Sequence, residues 1–80
     1  MTTRECVAKR ILDLCDERRL AINALARSAG MPPTTLKNIL NGASQNPGIV
    51  TIKMICDGLG ITLIEFFDTQ DFRELEQEIQ

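Results

Sequence analysis

The chain has no histidine, tryptophan or tyrosine, and only three phenylalanines, Phe66, Phe67 and Phe72, among its 80 residues. Without histidine it lacks the side chain that most often moves protons near neutral pH. Ser28 and Ser44 have no evident activating partner and no glycine-rich phosphate loop follows a strand, so no enzyme is expected. A zinc site would need Cys6, Cys15 and Cys56 plus a carboxylate, and no ligand spacing joins them. An odd set of cysteines without CxxC reads as small apolar core residues of a reducing compartment. Neither metal nor cofactor is therefore expected. Scarce aromatics leave an aliphatic core and no platform for stacking unpaired bases. No run approaches the roughly 20 apolar residues of a membrane span. The first residues, MTTRECVAKR, lack the apolar centre of a signal peptide, so a cytoplasmic protein is expected.

What is present is enough for one small domain. Hydrophobic content is 44%, ordinary for a globular chain. The net charge of −2 conceals a division. Residues 1–53 carry eight basic and four acidic side chains, a surplus of +4, and residues 54–80 carry one basic and seven acidic, a balance of −6. A basic front and an acidic back would orient the domain on a polyanion, although ordinary solvated helix faces give the same count.

The most informative stretch is AINALARSAGMPPTTLKNILNG, residues 21–42. It reads as two short helices joined by a tight glycine turn. Helix 2 runs from Ile22 to Ala29 with Leu25 and Ala26 inward, and Gly30 suits the left-handed closing residue. Pro32 is the expected N-cap of helix 3, and Pro33 suits the first helical position, where no amide bond is lost. Leu36, Ile39 and Leu40 point inward, while Pro33, Thr34, Lys37, Asn38 and Asn41 share the opposite face. A helix apolar inside and small and polar outside is suited to a DNA groove.

The remaining segments are also helical by pattern. Thr2 and Glu5 have capping-box spacing ahead of the stripe Val7, Ile11, Leu14. Helix 4 carries Ile49, Ile52, Ile55, Cys56 and Leu59, and Gly60 ends it. Thr62 and Glu65 open helix 5 in the same way as helix 1. A last acidic helix from Asp71 places Phe72, Leu75 and Ile79 on one side. That stripe is a seam between two copies, packing on its own domain, or a frayed end; the seam is the expectation. No segment alternates, so no strand is expected.

These five helices and the tight turn resemble the phage-repressor (Cro/Xre-type) helix-turn-helix family across residues 4–68. The resemblance rests on Leu25-Ala26, Ala29-Gly30, Leu36, Ile39 and Gly42, extended by Asn46-Pro47, Leu59-Gly60-Ile61 and Phe66-Phe67. PPTTLKNILNG with NPGIVTIKMICDGLGITLIEFFD is similar to one large bacterial subgroup of these regulators. It implies an all-α, five-helix lambda-repressor-like DNA-binding domain over residues 1–68. An additional acidic C-terminal helix over 69–80 would be a possible dimer element. It also implies that helix 3 lies in the major groove and that helix 2 crosses above it. Position by position, Pro33, Thr34, Lys37 and Asn38 would face bases. Asn23, Thr35, Asn41, Ser44 and Lys53 would meet phosphates, as would the place held by Ile22.

Departures from the family pattern are specific. Ile22 stands where many relatives have a bracing Gln, with Asn23 beside it as a substitute. Cys15 and Leu40 replace a helix-1 Arg and a late helix-3 Glu, so both members of that pair are apolar together. Ala43 and Gln45 occupy positions where lysines are frequent.

The expected function is a sequence-specific DNA-binding transcriptional regulator, a repressor, acting as a homodimer on double-stranded DNA. Affinity would come from phosphate neutralisation by Lys37, Lys53 and Arg27, helped by the amides opening helices 2 and 4. Asn38 suits adenine, Lys37 guanine, and Thr34 or Pro33 a thymine methyl. Taken singly, Lys37, Asn38 and Lys53 are solvated surface residues, the prolines a helix-start device, and Arg10, Arg18 and Arg19 surface or internal pairs. The alternative is a protein-interaction module on the same fold, an antitoxin or anti-repressor subunit. It is motivated by the acidic second half and the missing loop lysines. No small-molecule effector site and no membrane role are evident.

Overall fold

The computed structural model describes residues 1–79. Among them the order is α1 (Thr3–Arg18), α2 (Ile22–Ser28), α3 (Pro33–Asn41), α4 (Ile49–Leu59), α5 (Leu63–Phe67) and α6 (Gln70–Arg73), with no strand.

Local chemistry explains most of the boundaries. Thr2 Oγ1 accepts the Glu5 amide at 3.1 Å and Glu5 Oε1 accepts the Thr2 amide at 2.9 Å. These bonds hold the Glu5 carboxyl below its usual range. Thr62 and Glu65 repeat the box at α5, with contacts of 3.0 and 3.2 Å. At its other end α1 stops at Arg19, in the left-handed region at φ 51°. The Arg19 and Leu20 amides close onto the Asp16 and Cys15 carbonyls at 3.2 and 2.9 Å.

Pro32 is the N-cap of α3 at φ −62°, ψ 144°, with no capping side chain, and Pro33 is the first helical residue. Gly30 takes φ 71° between α2 and α3, a backbone that side chains resist. The Met31 amide then closes onto the Ala26 carbonyl at 3.0 Å. α2 ends at Ser28, one residue earlier than its pattern, because Ala29 serves as the C-cap.

The core sits where α1, α2, α3 and α4 meet above α5. Ile11, Leu25, Ala26, Leu36, Ile55, Cys56 and Phe66 are all fully buried, and Ile39 is nearly so. α2 packs on both α3 and α4, and α1 braces α3. Gly58 allows the closest of these approaches. A Cβ there would lie 2.9 Å from the Ala29 amide nitrogen, inside any tolerable contact. A mid-helix glycine costs about 1 kcal/mol relative to alanine, and its return is the seating of α4 against the end of α2.

Cys6, Cys15 and Cys56 are free and buried, and burial pushes each thiol up from its ordinary value. They act as small apolar packing groups, as their isolation in sequence predicts.

Of the apolar residues on α4, Ile49 is 57% exposed, because the first turn overhangs the core, and burial begins at Ile52. One expectation is corrected. The C-terminal helix is a single turn, Gln70–Arg73, and residues 74–79 are not helical. Phe72, Leu75 and Ile79 therefore do not form one helical stripe. Phe72 is instead drawn into an aromatic cluster, 4.9 Å from Phe67 and 6.1 Å from Phe66 between ring centroids. Leu75 is half-buried and Ile79 is 84% exposed. Gln80, the end of the expected 69–80 segment, lies outside the described residues.

Candidate nucleic-acid interface

α3 is held by its inner side and leaves its outer side open. Leu36 and Ile39 are buried against the core, with Leu40 half-buried beside them. On the other side Thr34, Thr35, Lys37 and Asn41 are exposed, and Pro33 and Asn38 are half-buried. Among the described residues, no hydrogen bond or ion pair engages the side chains of Thr34, Lys37 or Asn38. The outer face thus offers an ammonium and a carboxamide, both with hydrogen-bonding capacity in hand.

The expected phosphate group divides by local bonding. Asn23 is exposed in the first turn of α2, and Thr35 is exposed while its amide closes onto the Pro32 carbonyl at 3.0 Å. Asn41 Oδ1 accepts the Ala43 amide at 2.9 Å, so Asn41 shapes the loop after α3 while its NH2 stays available to an anionic partner. Ser44 is half-buried, and its amide donates to the Asn38 carbonyl at 2.9 Å, folding the loop back on α3. Lys53 is exposed, but its ammonium is paired with Asp57 one turn along α4. The (i, i+4) spacing could have revealed that pair in the sequence.

The basic surplus of residues 1–53 is therefore smaller at the surface than by count. Lys9 bridges Asp13 and Asp71, each at 2.9 Å, and these carboxylates raise its pKa. Arg10 donates to the carbonyls of Phe66 and Glu65 at 2.8 and 2.9 Å, capping α5. Arg18 donates to the Leu59 carbonyl and caps α4. Cations there also meet the negative end of a helix dipole. No sequence spacing announces these arginines, because their acceptors lie 41 to 56 residues away. Arg4, Arg19, Arg27 and Lys37 remain without an ion pair or carbonyl partner among the described residues. Arg27 is exposed in α2 and Lys37 is exposed in α3.

Two absences bear on alternative chemistry. Among the described residues no cluster of cysteine and carboxylate could hold a metal ion, and no helix is long and apolar enough to cross a membrane.

The Cro/C1-type HTH DNA-binding domain family matches residues 10–71. The chain is similar to the crystal structure of the prophage Lp1 protein 11, with 34% identity and a TM-score of 0.80, covering 94% of this chain and all of that one. It has the fold of the wild-type restriction-modification controller protein C.Esp1396I, at 20% identity and a TM-score of 0.79, covering 94% and 95% of the two chains. An HTH_3 family transcriptional regulator from Vibrio cholerae is 30% identical with a TM-score of 0.73. That match covers 80% of this chain but 35% of the longer one. No curated protein matches the sequence. With three quarters of its length inside the family match and its glycine turn and open third helix in place, the chain belongs to the Cro/C1-type helix-turn-helix DNA-binding domain family.

Proposed function

We propose that this protein is a sequence-specific transcriptional repressor that enters the major groove of duplex DNA with α3. The observation that carries the reading is the outer face of α3, where Thr34, Lys37 and Asn38 stand unengaged on a helix fixed from behind by Leu36 and Ile39. Asn38 reads adenine, Lys37 reads guanine, and Thr34 with the ring of Pro33 meets a thymine methyl. Asn23, Thr35, Asn41 and Ser44 position the backbone, with Lys53 joining them once it leaves Asp57.

One nine-residue helix reads too few base pairs for a specific site, so the protein binds as a homodimer on a two-fold operator. Because Phe72 is spent within its own aromatic cluster, the copy-to-copy contact does not use a Phe72–Leu75–Ile79 seam. Ile49, Val50 and Ile64, each more than half exposed on α4 and α5, are among the apolar residues available for it, with Met1 and Ile79 at the two ends of the chain.

The test is binding of the full chain to duplex fragments from its own upstream region, with Lys37→Ala and Asn38→Ala alongside. Binding that weakens as salt rises, and that both substitutions impair, upholds the reading. Absence of binding at low salt, or indifference to both substitutions, defeats it. The second reading, a protein-interaction module, is favoured by one observation: four of the eight cations in residues 1–53 are consumed internally. A stoichiometric protein partner without salt-dependent DNA affinity would establish it.

A further inference from the structure

Beside the C-terminal end of α3 lies an open cleft of about 600 Å³. Its floor is apolar, built by Val7, Ile52 and Phe67, and its polar rim comes from three parts of the chain: the start of α1 with Thr3 and Arg4, the loop after α3 with Gln45 and Asn46, and Glu78 near the end of the chain. Apart from Glu78, every one of these rim side chains can donate a hydrogen bond. Glu78 is the anion among them, and Thr3 Oγ1 donates to its Oε1 at 2.7 Å.

Arg4 is placed here by Gly42, the C-cap of α3. Gly42 sits at φ 86°, and a Cβ on it would meet the Arg4 guanidinium at 3.3 to 3.6 Å. The bare backbone of Gly42 lets a cation lie against the end of the helix, where dipole and charge agree. Unlike Lys9, Arg10, Arg18 and Lys53, Arg4 has no ion pair or carbonyl partner among the described residues.

We propose that this cleft is a station for a DNA backbone phosphate, held in the free protein by Glu78 as an internal anion that the duplex displaces. The proposal rests on the DNA-binding reading and extends it to residues with no other role assigned. A phosphate entering here meets the Arg4 guanidinium, the Thr3 hydroxyl, the carboxamide of Asn46 and the second N–H of Gln45, whose first is given to the Gly42 carbonyl. Glu78 must then withdraw, since two anions cannot share one set of donors. Withdrawal breaks the bond from Thr3 and no helix, because residues 74–79 are outside any helix and residues 76–79 are exposed. The acidic end of the chain thereby sets the affinity of the basic front.

The experiment is a salt titration of binding to the upstream duplex by the full chain. It compares wild type, Arg4→Gln, Glu78→Gln and their double variant, with Arg4→Lys and Glu76→Gln as controls. Arg4→Gln should weaken binding several-fold and lower the log–log salt slope by about 1. Arg4→Lys should restore the slope. Glu78→Gln should tighten binding several-fold, more than Glu76→Gln, whose carboxylate lies outside the cleft. In the double variant the Glu78 effect should shrink, since the Thr3 hydroxyl that Glu78 occupies remains while the cation is gone.

An unchanged slope in a folded Arg4→Gln protein overturns the proposal. So does a Glu78→Gln effect that is equal with and without Arg4, which would mean general repulsion rather than competition for one site. If wild type binds no DNA, the DNA reading itself falls and takes this station with it; the first two results instead remove the station and leave that reading standing.

Discussion

α1 and α3 both carry basic side chains, and the fold uses them in opposite ways. Along α1, Lys9, Arg10 and Arg18 turn to the protein's own carboxylates and carbonyls. On α3, Lys37 faces solvent with nothing to hold. The same residue types thus serve cohesion along the body of α1, past Arg4 in its first turn, and stand unpaired on α3. A charge tally cannot separate these duties, because only the position of an acceptor decides which cation is satisfied.

The comparison is most exposed to failure at Arg10. Arg10→Met removes two charge-assisted hydrogen bonds to the end of α5 and should cost about 2 kcal/mol of stability. Urea melts should register the loss, while the DNA affinity of the folded fraction stays at its wild-type value. A large loss of affinity without loss of stability would place Arg10 among the recognition residues instead.

Lys37→Ala should do the reverse. Its stability should stay within about 0.5 kcal/mol of wild type. Its DNA binding should weaken about tenfold, equivalent to about 1.4 kcal/mol, as read by fluorescence anisotropy. A comparable drop in stability would mean that α3 does not carry a free cation.

Arg19 sharpens the contrast from the stabilising side. Its left-handed backbone costs about 1 kcal/mol that glycine would not incur, and no ion pair offsets it among the described residues. Arg19→Gly should raise the midpoint of a urea melt by a corresponding amount.

The smallest effect belongs to the start of α1. The Glu5 carboxyl is held below its ordinary value of 4.5 by bonds from Thr2. A group whose folded pKa is depressed stabilises above its unfolded value, and that contribution is lost as pH falls through the folded one. A slight loss of stability should therefore appear below pH 4.5 and be absent in Glu5→Gln.

Much of this was legible in the residues. The twin prolines fixed the start of α3 because Pro33 has no amide to lose and a φ already helical. Both Thr-x-x-Glu boxes fixed helix starts because their partners are three residues apart. Periodicity marked Leu25, Leu36 and Ile39 as inward, and the outer face of α3 follows by subtraction. Less legible were features whose partners are distant. The place of Phe72 depended on Phe66 and Phe67, which lie six and five residues back and meet its ring only in the folded chain. Gly58 looks like a defect in α4 until the Ala29 backbone is seen 2.9 Å from its missing Cβ.

The sequence alone settled the first five helices, their order and the polar side of α3, since caps, turn residues and hydrophobic period act over four residues or fewer. Tertiary structure decided which cations remain free, where the C-terminal carboxylates lie, and that Arg4 reaches the end of α3. Those outcomes depend on groups far apart in the chain becoming neighbours, and electrostatic pairing follows distance in space rather than separation in sequence.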